Sequence, residues 1–309
     1  WRDVEPQQAR QLVADIASAT IQSYARDLFR SSQDRSLTAP ALVGILEDFV
    51  EQCVAWMRAG YEFDPCAVET AFGTTGAPLP AWEIQIDPEH SIALRGKIDR
   101  VDICRDPNTT AAWCVVVDYK LSENRFNDTR LANGLQLQLP AYLAAIANLA
   151  PGKLLENITE CIPCGMFYVP LRRAESSADS RAEAVADPAV NRAKAHTHRG
   201  RFRSDALSQL DRLHDQENCT GQFLASRRGK SPRKYADAIP ADVFQNMLAS
   251  VKTMIRDFGR RILSGDVSID PCATGTSEVA CDNCAYASIC RINRSKHMYR
   301  QLVPSSGAS

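Results

Sequence analysis

The sequence lacks an excess of charge of either sign, because 36 Lys and Arg residues balance 37 Asp and Glu residues and leave a net charge of −1. A chain without a global basic field can contact nucleic acid only through a local patch. It also lacks an apolar run near the roughly 20 residues needed to cross a bilayer, and its first residues show no basic-then-apolar signal pattern. We therefore expect a cytoplasmic protein with no membrane association.

Three familiar catalytic signatures are missing as well. A phosphate-binding loop ending at Gly229-Lys230-Ser231 would need a glycine where the sequence has Leu224. The chain contains neither a Gly-x-Ser-x-Gly nucleophile elbow nor a His-Glu-x-x-His zinc helix. These absences argue against an ATPase motor, an α/β-type serine hydrolase and a zinc protease.

What is present is typical of a globular protein with a substantial core. Of its 309 residues, 45% are hydrophobic and 24% are charged, which is the balance of an ordinary folded domain. The length suits one large domain or two small ones. The chain starts at Trp1 without a methionine, so we expect it to be part of a longer protein.

Apolar periodicity indicates the fold class. Helical spacing predicts helices over 7–30, 39–59, 131–149 and 243–263. Short β-rich segments predict strands over 68–72, 81–86, 92–98, 101–104, 112–119 and 161–169. This order predicts an α/β domain with a central mixed sheet flanked by helices.

The same pattern divides the chain into five regions. Residues 173–199 are rich in Ala, Ser, Asp and Arg and have no apolar period, which is typical of a mobile segment. The predicted regions are a helical lead-in (1–62), a core (63–172), a mobile insertion (173–205), a C-terminal helical region with a cysteine cluster (206–293) and a tail (294–309).

The most informative segment lies between positions 95 and 120, where two predicted strands carry carboxylates. The first reads Gly-Lys-Ile-Asp-Arg-Val-Asp over 96–102, and the second reads Val-Val-Val-Asp-Tyr-Lys over 115–120. A hairpin between them would bring Asp99 beside Asp118. Strand alternation places Asp118 and Lys120 on one face and Tyr119 on the other. Asp102 lies on the side of its strand opposite to Asp99, so we interpret it as structural.

Two carboxylates converging with one lysine have a clear chemical use. Their oxygens suit Mg²⁺, a hard cation that also binds phosphate oxygens, and the carbonyl of Tyr119 could add another ligand. Lys120 could orient or deprotonate the attacking water. The alternative is a solvated surface ion pair, which is the usual state of such residues. Asp118 follows three valines, where an unpaired carboxylate would be costly, and this favours the metal site.

These motifs resemble the RecB-like branch of the PD-(D/E)XK nucleases, which implies a restriction-endonuclease-like core and Mg²⁺-dependent DNA cleavage. Gln138 and Tyr142 match the Gln-x-x-x-Tyr motif of that branch, and i, i+4 positions share one helix face. The segment 63–73 resembles its first strand, with Glu69 as a metal ligand or a structural glutamate. The branch also carries a metal-binding histidine before this region, whereas the first histidine here is His90.

A second constellation is the array Cys281-x₂-Cys284-x₅-Cys290. Closely spaced thiolates suit a sulfur-ligated metal or an iron–sulfur cluster, and a fourth ligand is then required. The candidates within the chain are Cys272, Cys53 and Cys66. An alternative is a zinc site in which Cys281 and Cys284 join the Cys161-x₂-Cys164 pair.

The array also resembles the end of AddB-type nuclease domains, where a segment like 265–271 precedes it. This resemblance implies a structural [4Fe–4S] cluster whose fourth ligand lies before Trp1, with Cys272 as the weaker candidate. It further implies an AddA-like helicase partner and single-strand exonucleolytic cleavage during recombinational repair of double-strand breaks. The alternatives are a catalytically silent DNA-binding or scaffold module and a stand-alone repair exonuclease.

A locally basic stretch covers residues 192–234 and includes Arg227, Arg228 and Lys230. Such a strip could track DNA phosphates, or it could be an ordinary solvated loop.

Overall fold

The structure is a computed structural model that describes most of the chain. The described residues are 1–23, 33–121, 125–172, 195–216, 222–223, 225–226, 234–273, 281, 284–293 and 299–302. Within these ranges, no helix is both long enough and apolar enough to cross a membrane.

Helices occur at both ends of the described chain and between the strands. The long helices are α1 (Pro6–Ser23), α2 (Gln33–Gly60), α4 (Gln138–Leu149) and α6 (Ala241–Leu263). The short helices are α3 (Asp128–Ala132), α5 (Leu207–Leu210) and α7 (Ala287–Cys290).

Six strands form the central sheet, in the order β1-β4-β5-β6-β7-β10. They are β1 (Asp64–Phe72), β4 (Gly96–Arg105), β5 (Ala111–Lys120), β6 (Glu160–Pro170), β7 (Arg199–Arg203) and β10 (Ala238–Ile239). The pairs β5–β6 and β7–β10 are parallel, and the other three neighbouring pairs are antiparallel. The sheet is therefore mixed, as predicted.

The remaining strands form three small two-stranded sheets. They are β2 (Trp82–Gln85) with β3 (Ser91–Leu94), β8 (Ala225–Ser226) with β9 (Lys234–Tyr235), and β11 (Cys272–Ala273) with β12 (Arg300–Gln301).

The core has two parts, one on each face of the central sheet. On one face, α4 and α6 bury residues such as Leu143 and Val251 against Val116 of β5. On the other face, α2 buries Trp56 among residues that include Phe167 of β6. Burial of side chains of this size stabilises the fold by roughly 2 kcal/mol each. The predicted fold class, a central mixed sheet flanked by helices, is confirmed, and the helices lie on both faces.

Two differences from the predicted elements have physical reasons. The predicted helix over 131–149 is divided into α3 and α4 because Gly134 takes a positive φ of 74° between them. A Cβ atom at Gly134 would lie 2.5 Å from the ring of Phe258, so the turn also depends on the absence of a side chain. In addition, β7 belongs to the central sheet although it falls within the range 173–205 predicted as an insertion. Residues 173–194 of that range lie outside the described residues.

Candidate active site

The carboxylates of Asp99 and Asp118 approach each other where the pairing of β4 with β5 ends. The last backbone pair of this ladder is Arg100↔Val117, and the next position on each strand carries an aspartate. Beyond the ladder, the backbone N–H of Tyr119 donates a hydrogen bond to Oδ2 of Asp99 at 2.8 Å. The hairpin thus brings Asp99 to the segment that holds Asp118.

Asp118 is a buried carboxylate held by two partners. Its residue is only 2% exposed, because the strand that carries it runs through the core. Lys120 Nζ lies 2.5 Å from Oδ2, and the side-chain amide of Gln138 donates to Oδ1 at 2.7 Å. Burial raises the pKa of Asp118 and the nearby charge of Asp99 adds to this, while Lys120 acts in the opposite direction.

Lys120 lies at the edge of this group and is partly open to solvent, with 28% of its side chain exposed. Its Nζ is 3.5 Å from Oε1 of Gln138 and 5.7 Å from the centroid of the Tyr168 ring. A lysine over an aromatic face is stabilised as a cation. The ammonium can therefore contact both Asp118 and a group arriving from solvent.

Gln138 and Tyr142 reach the sheet from the start of α4. Gln138 is the first residue of the helix, and Pro140 suits its first turn. One turn later, Tyr142 packs its ring edge-on against Phe72, with the ring centroids 5.9 Å apart. A Cβ atom at Gly96 would lie 2.9 Å from the Tyr142 ring, so only glycine allows this packing. Of the two motif residues, Gln138 contacts Asp118, and Tyr142 packs against strands β1 and β4.

Glu69 lies at the margin of the site on β1. Its side chain is 63% exposed and forms an ion pair with Lys97. Glu69 raises the pKa of Lys97, and Asp99 contributes to the same shift, which places the Glu69–Lys97 pair near the carboxylates. Glu69 has a φ of 51°, a left-handed conformation that is strained for residues other than glycine.

The back face of the same strands carries a buried polar network. Asp102, fully buried, accepts hydrogen bonds from Tyr61 and from the guanidinium of Arg100. The side chain of Tyr119 lies on this face too, edge-on to Phe49 of α2. Asp102 and Tyr119 were predicted on this face from the sequence, but Arg100 was missed. Strand alternation could have identified it, because positions 100 and 102 lie on the same face of β4.

The cysteine array and the histidines do not form a metal centre in the described part of the chain. No group of three or more His, Cys, Asp and Glu side chains there is arranged to hold a metal ion. Cys281 and Cys290 are half-buried and Cys284 is exposed. Cys272 is buried in β11. His90 contacts Asp87 in a turn.

The basic stretch cannot be placed in this arrangement, since Arg227, Arg228 and Lys230 lie outside the described residues.

The oxygen donors near Asp118 fit a small divalent cation better than a soft metal. Two carboxylates approach each other, and the charge of Asp99 makes it harder to ionise Asp118. A cation between them would relieve this repulsion. Mg²⁺ is commonly held by one or two carboxylates together with waters and phosphate oxygens.

Comparison with known proteins finds relatives that match nearly the whole chain. The sequence is 29% identical over 310 residues to the B-type subunit of the ATP-dependent helicase/deoxyribonuclease from Moorella thermoacetica, covering 99% of this chain and 25% of that protein. It is 24% identical over 299 residues to the protein of the same name from Alkaliphilus oremlandii, covering 96% of this chain and 25% of that protein. The chain thus spans about a quarter of the length of these relatives.

A family match covers nearly the whole chain. Residues 2–291 match the family described as the PD-(D/E)XK nuclease superfamily, and the sequence and structural features above agree with it. The chain therefore belongs to the PD-(D/E)XK nuclease superfamily.

Proposed function

We propose that this chain is the nuclease domain of an AddB-type helicase–nuclease subunit and that it hydrolyses DNA phosphodiester bonds with Mg²⁺. The observation that carries the proposal is the convergence of Asp99, Asp118, Lys120 and Gln138 at the end of the β4–β5 ladder. Membership of the nuclease superfamily supports it.

Asp99, Asp118 and the backbone carbonyl of Tyr119 would hold the cation. When bound, Mg²⁺ lowers the pKa of a coordinated water and stabilises negative charge on the phosphoryl group. Asp118 is suited to this role because Gln138 fixes Oδ1 at 2.7 Å and so limits the rotation of the carboxylate. Glu69 would assist from the margin of the site, as a direct or a water-mediated ligand.

Lys120 would orient the attacking water and bind a phosphate oxygen. Its ammonium lies against Asp118 and remains partly exposed, so it can hold a water for attack or pair with a phosphate oxygen. Gln138 contacts both Lys120 and Asp118 and would hold these two side chains in a fixed relative position. Tyr142, packed on Phe72, would hold α4 against the strands that carry the carboxylates.

The relatives suggest the wider context. They are named as ATP-dependent helicase/deoxyribonuclease subunits, and this chain shows no complete ATP-binding loop of its own. We infer that it acts with an AddA-like helicase partner that delivers a single DNA strand, in the cytoplasm, during repair of double-strand breaks by recombination. The cleavage would be exonucleolytic.

A [4Fe–4S] cluster held by Cys281, Cys284 and Cys290 is the second element of the proposal. Its support is the spacing of the three cysteines and the resemblance to AddB-type domains. The described positions of these thiols do not bring them together. The cluster would be structural, with a fourth ligand before Trp1 or at Cys272.

The test is a paired measurement on the full-length protein in complex with its helicase partner. Asp118→Ala should abolish cleavage of one strand of a labelled duplex while ATP-driven unwinding continues at the wild-type rate. Asp257→Ala is the matched control, because Asp257 is an exposed residue of α6 that pairs only with Arg260 in the described contacts.

Two outcomes would contradict the proposal. If Asp118→Ala and the wild type cleave alike, this site is not the nuclease centre. If the wild-type complex binds DNA and this domain cleaves neither strand, the proposed function is wrong. The domain is then a catalytically silent DNA-binding or scaffold module.

A further inference from the structure

The buried ion pair of Arg100 and Asp102 lies on the sheet face opposite to the proposed metal site. Nε of Arg100 donates to Oδ1 of Asp102 at 2.7 Å, and Nη2 donates to Oδ2 at 2.6 Å. The Tyr61 hydroxyl donates to the same carboxylate at 2.7 Å. The two charged side chains are only 8% and 0% exposed. This two-pronged geometry is the strong form of an arginine–carboxylate contact.

Stability alone is a poor explanation for this pair. Removing two charges from water is costly, and well-packed apolar side chains of similar volume often stabilise a core as much or more. The surrounding residues of α2, among them Trp56 and Met57, are apolar and buried. A buried ion pair in such surroundings suggests that its geometry has a use.

Arg100 connects β4 with two other elements. Its Nη1 donates to the hydroxyl of Tyr119 on β5 at 3.3 Å. The same guanidinium contacts Cys53 and Met57 of α2 through their sulfur atoms, at 3.8 and 3.5 Å. The planar guanidinium with its fixed donors therefore links β4 to β5 and to α2 at this point.

These contacts lie next to the groups proposed to act on DNA. Asp99 precedes Arg100 in the chain, and Tyr119 separates Asp118 from Lys120. The β4–β5 ladder ends at Arg100↔Val117, so no further backbone pair holds Tyr119 against β4. Two side-chain contacts replace it: Tyr119 N–H to Asp99 on the front face, and Arg100 to the Tyr119 hydroxyl on the back face.

The other side of β5 is fixed independently. Its parallel pairing with β6 continues to Lys120↔Pro170. The separation that remains to be set is the one between the ends of β4 and β5, the two strands that carry Asp99 and Asp118.

We propose that Arg100 is a positioning residue that sets the spacing of Asp99 and Asp118 through the Tyr119 hydroxyl, and that it thereby determines the affinity of the site for a divalent cation. This inference rests on the proposed function, because it assumes that the two carboxylates hold the metal. Asp102 and Tyr61 hold the guanidinium in the orientation that this role requires.

The experiment measures cation binding directly. Mn²⁺ binding to the full-length protein, without nucleotide or DNA, is followed by the loss of the free-ion electron paramagnetic resonance signal. Tyr119→Phe removes only the hydroxyl and keeps the backbone N–H that serves Asp99. We expect the dissociation constant for Mn²⁺ to rise about tenfold, the lower end of the range found on losing a group that orients a metal ligand, with an unchanged melting temperature. Tyr235→Phe is the matched control, because Tyr235 is a buried tyrosine of the same core cluster whose hydroxyl contacts His214 instead.

A second variant separates the positioning role of Arg100 from an effect on the stability of the fold. The double variant Arg100→Met with Asp102→Leu removes both charges together and should fold, since no unpaired charge remains. It should lose as much Mn²⁺ affinity as Tyr119→Phe. Wild-type affinity in both variants would overturn the proposal.

Asp118→Asn distinguishes a failure of the proposed metal site from a failure of the role proposed for Arg100. If it binds Mn²⁺ as tightly as the wild type does, the proposed metal site is wrong and the inference is overturned with it. If Asp118→Asn loses binding while Tyr119→Phe and the double variant keep it, the metal site stands and only the role of Arg100 is refuted.

Discussion

The side-chain amide of Gln138 donates to Oδ1 of Asp118 at 2.7 Å, and its carbonyl oxygen lies 3.5 Å from Nζ of Lys120. One residue at the start of α4 thus contacts the buried carboxylate and the partly exposed ammonium together. Since an amide carries both a donor and an acceptor, it can satisfy the two partners without adding charge.

We expect Gln138→Leu to reduce both Mg²⁺ affinity and cleavage by about 10-fold to 100-fold, the range found for residues that orient a metal ligand. Leucine fills a similar volume but can neither fix the Asp118 carboxylate nor contact Lys120. The measurement is strand cleavage by the full-length complex as a function of Mg²⁺ concentration. Gln245→Leu on the exposed side of α6 is the control and should match the wild type. Equal curves for the two variants would remove Gln138 from the site.

Asp118→Asn should stabilise the protein in the absence of metal. Burial raises the pKa of Asp118 above its ordinary value of 3.8, so the folded state binds this proton more tightly than the unfolded chain does. Stability then falls as pH rises through the interval between the two pKa values, and the loss is complete above the folded-state pKa. The variant avoids this loss, so at about pH 7 its melting temperature should exceed the wild-type value.

The check is differential scanning fluorimetry in EDTA over a series of pH values. The difference between variant and wild type should shrink as pH falls toward the ordinary range of a carboxylate. A variant that melts lower at neutral pH would mean that the ion pair with Lys120 outweighs the cost of burial, contrary to the expectation.

Asp102→Asn should have the opposite effect on stability. It leaves the Arg100 guanidinium buried without its counter-charge, and breaking a buried pair in this way typically costs about 3–5 kcal/mol. Calorimetry of the full-length protein should show a clear drop in the melting temperature. The surface variant Asp257→Asn should stay within about 0.5 kcal/mol of the wild type. An Asp102→Asn protein with wild-type stability would show that water reaches the guanidinium.

Much of the site was predictable from local periodicity. A strand alternates its side chains, so the run that ends in Asp118, Tyr119 and Lys120 already separates the two faces. Asp102 was assigned to the back face for the same reason, and its contacts with Arg100 and Tyr61 agree with that assignment. The family resemblance assigned Gln138 to the site, but its contact with Asp118 depends on how α4 packs and was not predicted.

Other features had weak or misleading signals. Strand β7 alternates arginines with buried Gly200 and Phe202, but the biased composition before it concealed this pattern. Its arginines are tolerated because carboxylates pair with them, as Asp128 and Asp237 do with Arg201. The positive φ of Glu69 had no signal at all, because glutamate is not typical of that conformation.

The cysteine array predicts a measurable cofactor. Full-length protein purified without oxygen should be brown and contain about four iron atoms per chain. Cys284→Ser should lose the iron and the colour. Cys104→Ser, which alters a half-buried thiol of β4, should keep both. Stoichiometric zinc in a colourless sample would instead favour the zinc site that includes Cys161 and Cys164.

Glu69 offers a test that separates backbone strain from chemistry. Its φ of 51° lies in the left-handed region, which costs residues with a Cβ roughly 1–2 kcal/mol and costs glycine little. Both Glu69→Gly and Glu69→Ala remove the exposed ion pair with Lys97, which is worth at most about 1 kcal/mol. Glu69→Gly should therefore be more stable than Glu69→Ala by about 1 kcal/mol, the reverse of the usual order within a strand.

Cleavage by the same two variants then reports on the carboxylate. If Glu69 assists at the metal, both variants should lose activity equally, because both lack the same carboxylate whatever their stability. If activity instead follows the melting temperature, with Glu69→Gly more active than Glu69→Ala, the contribution of Glu69 is to the shape of β1 alone. Glu69→Gln keeps the length and the backbone conformation of the residue, so an activity near the wild-type level in that variant would exclude a role for its charge.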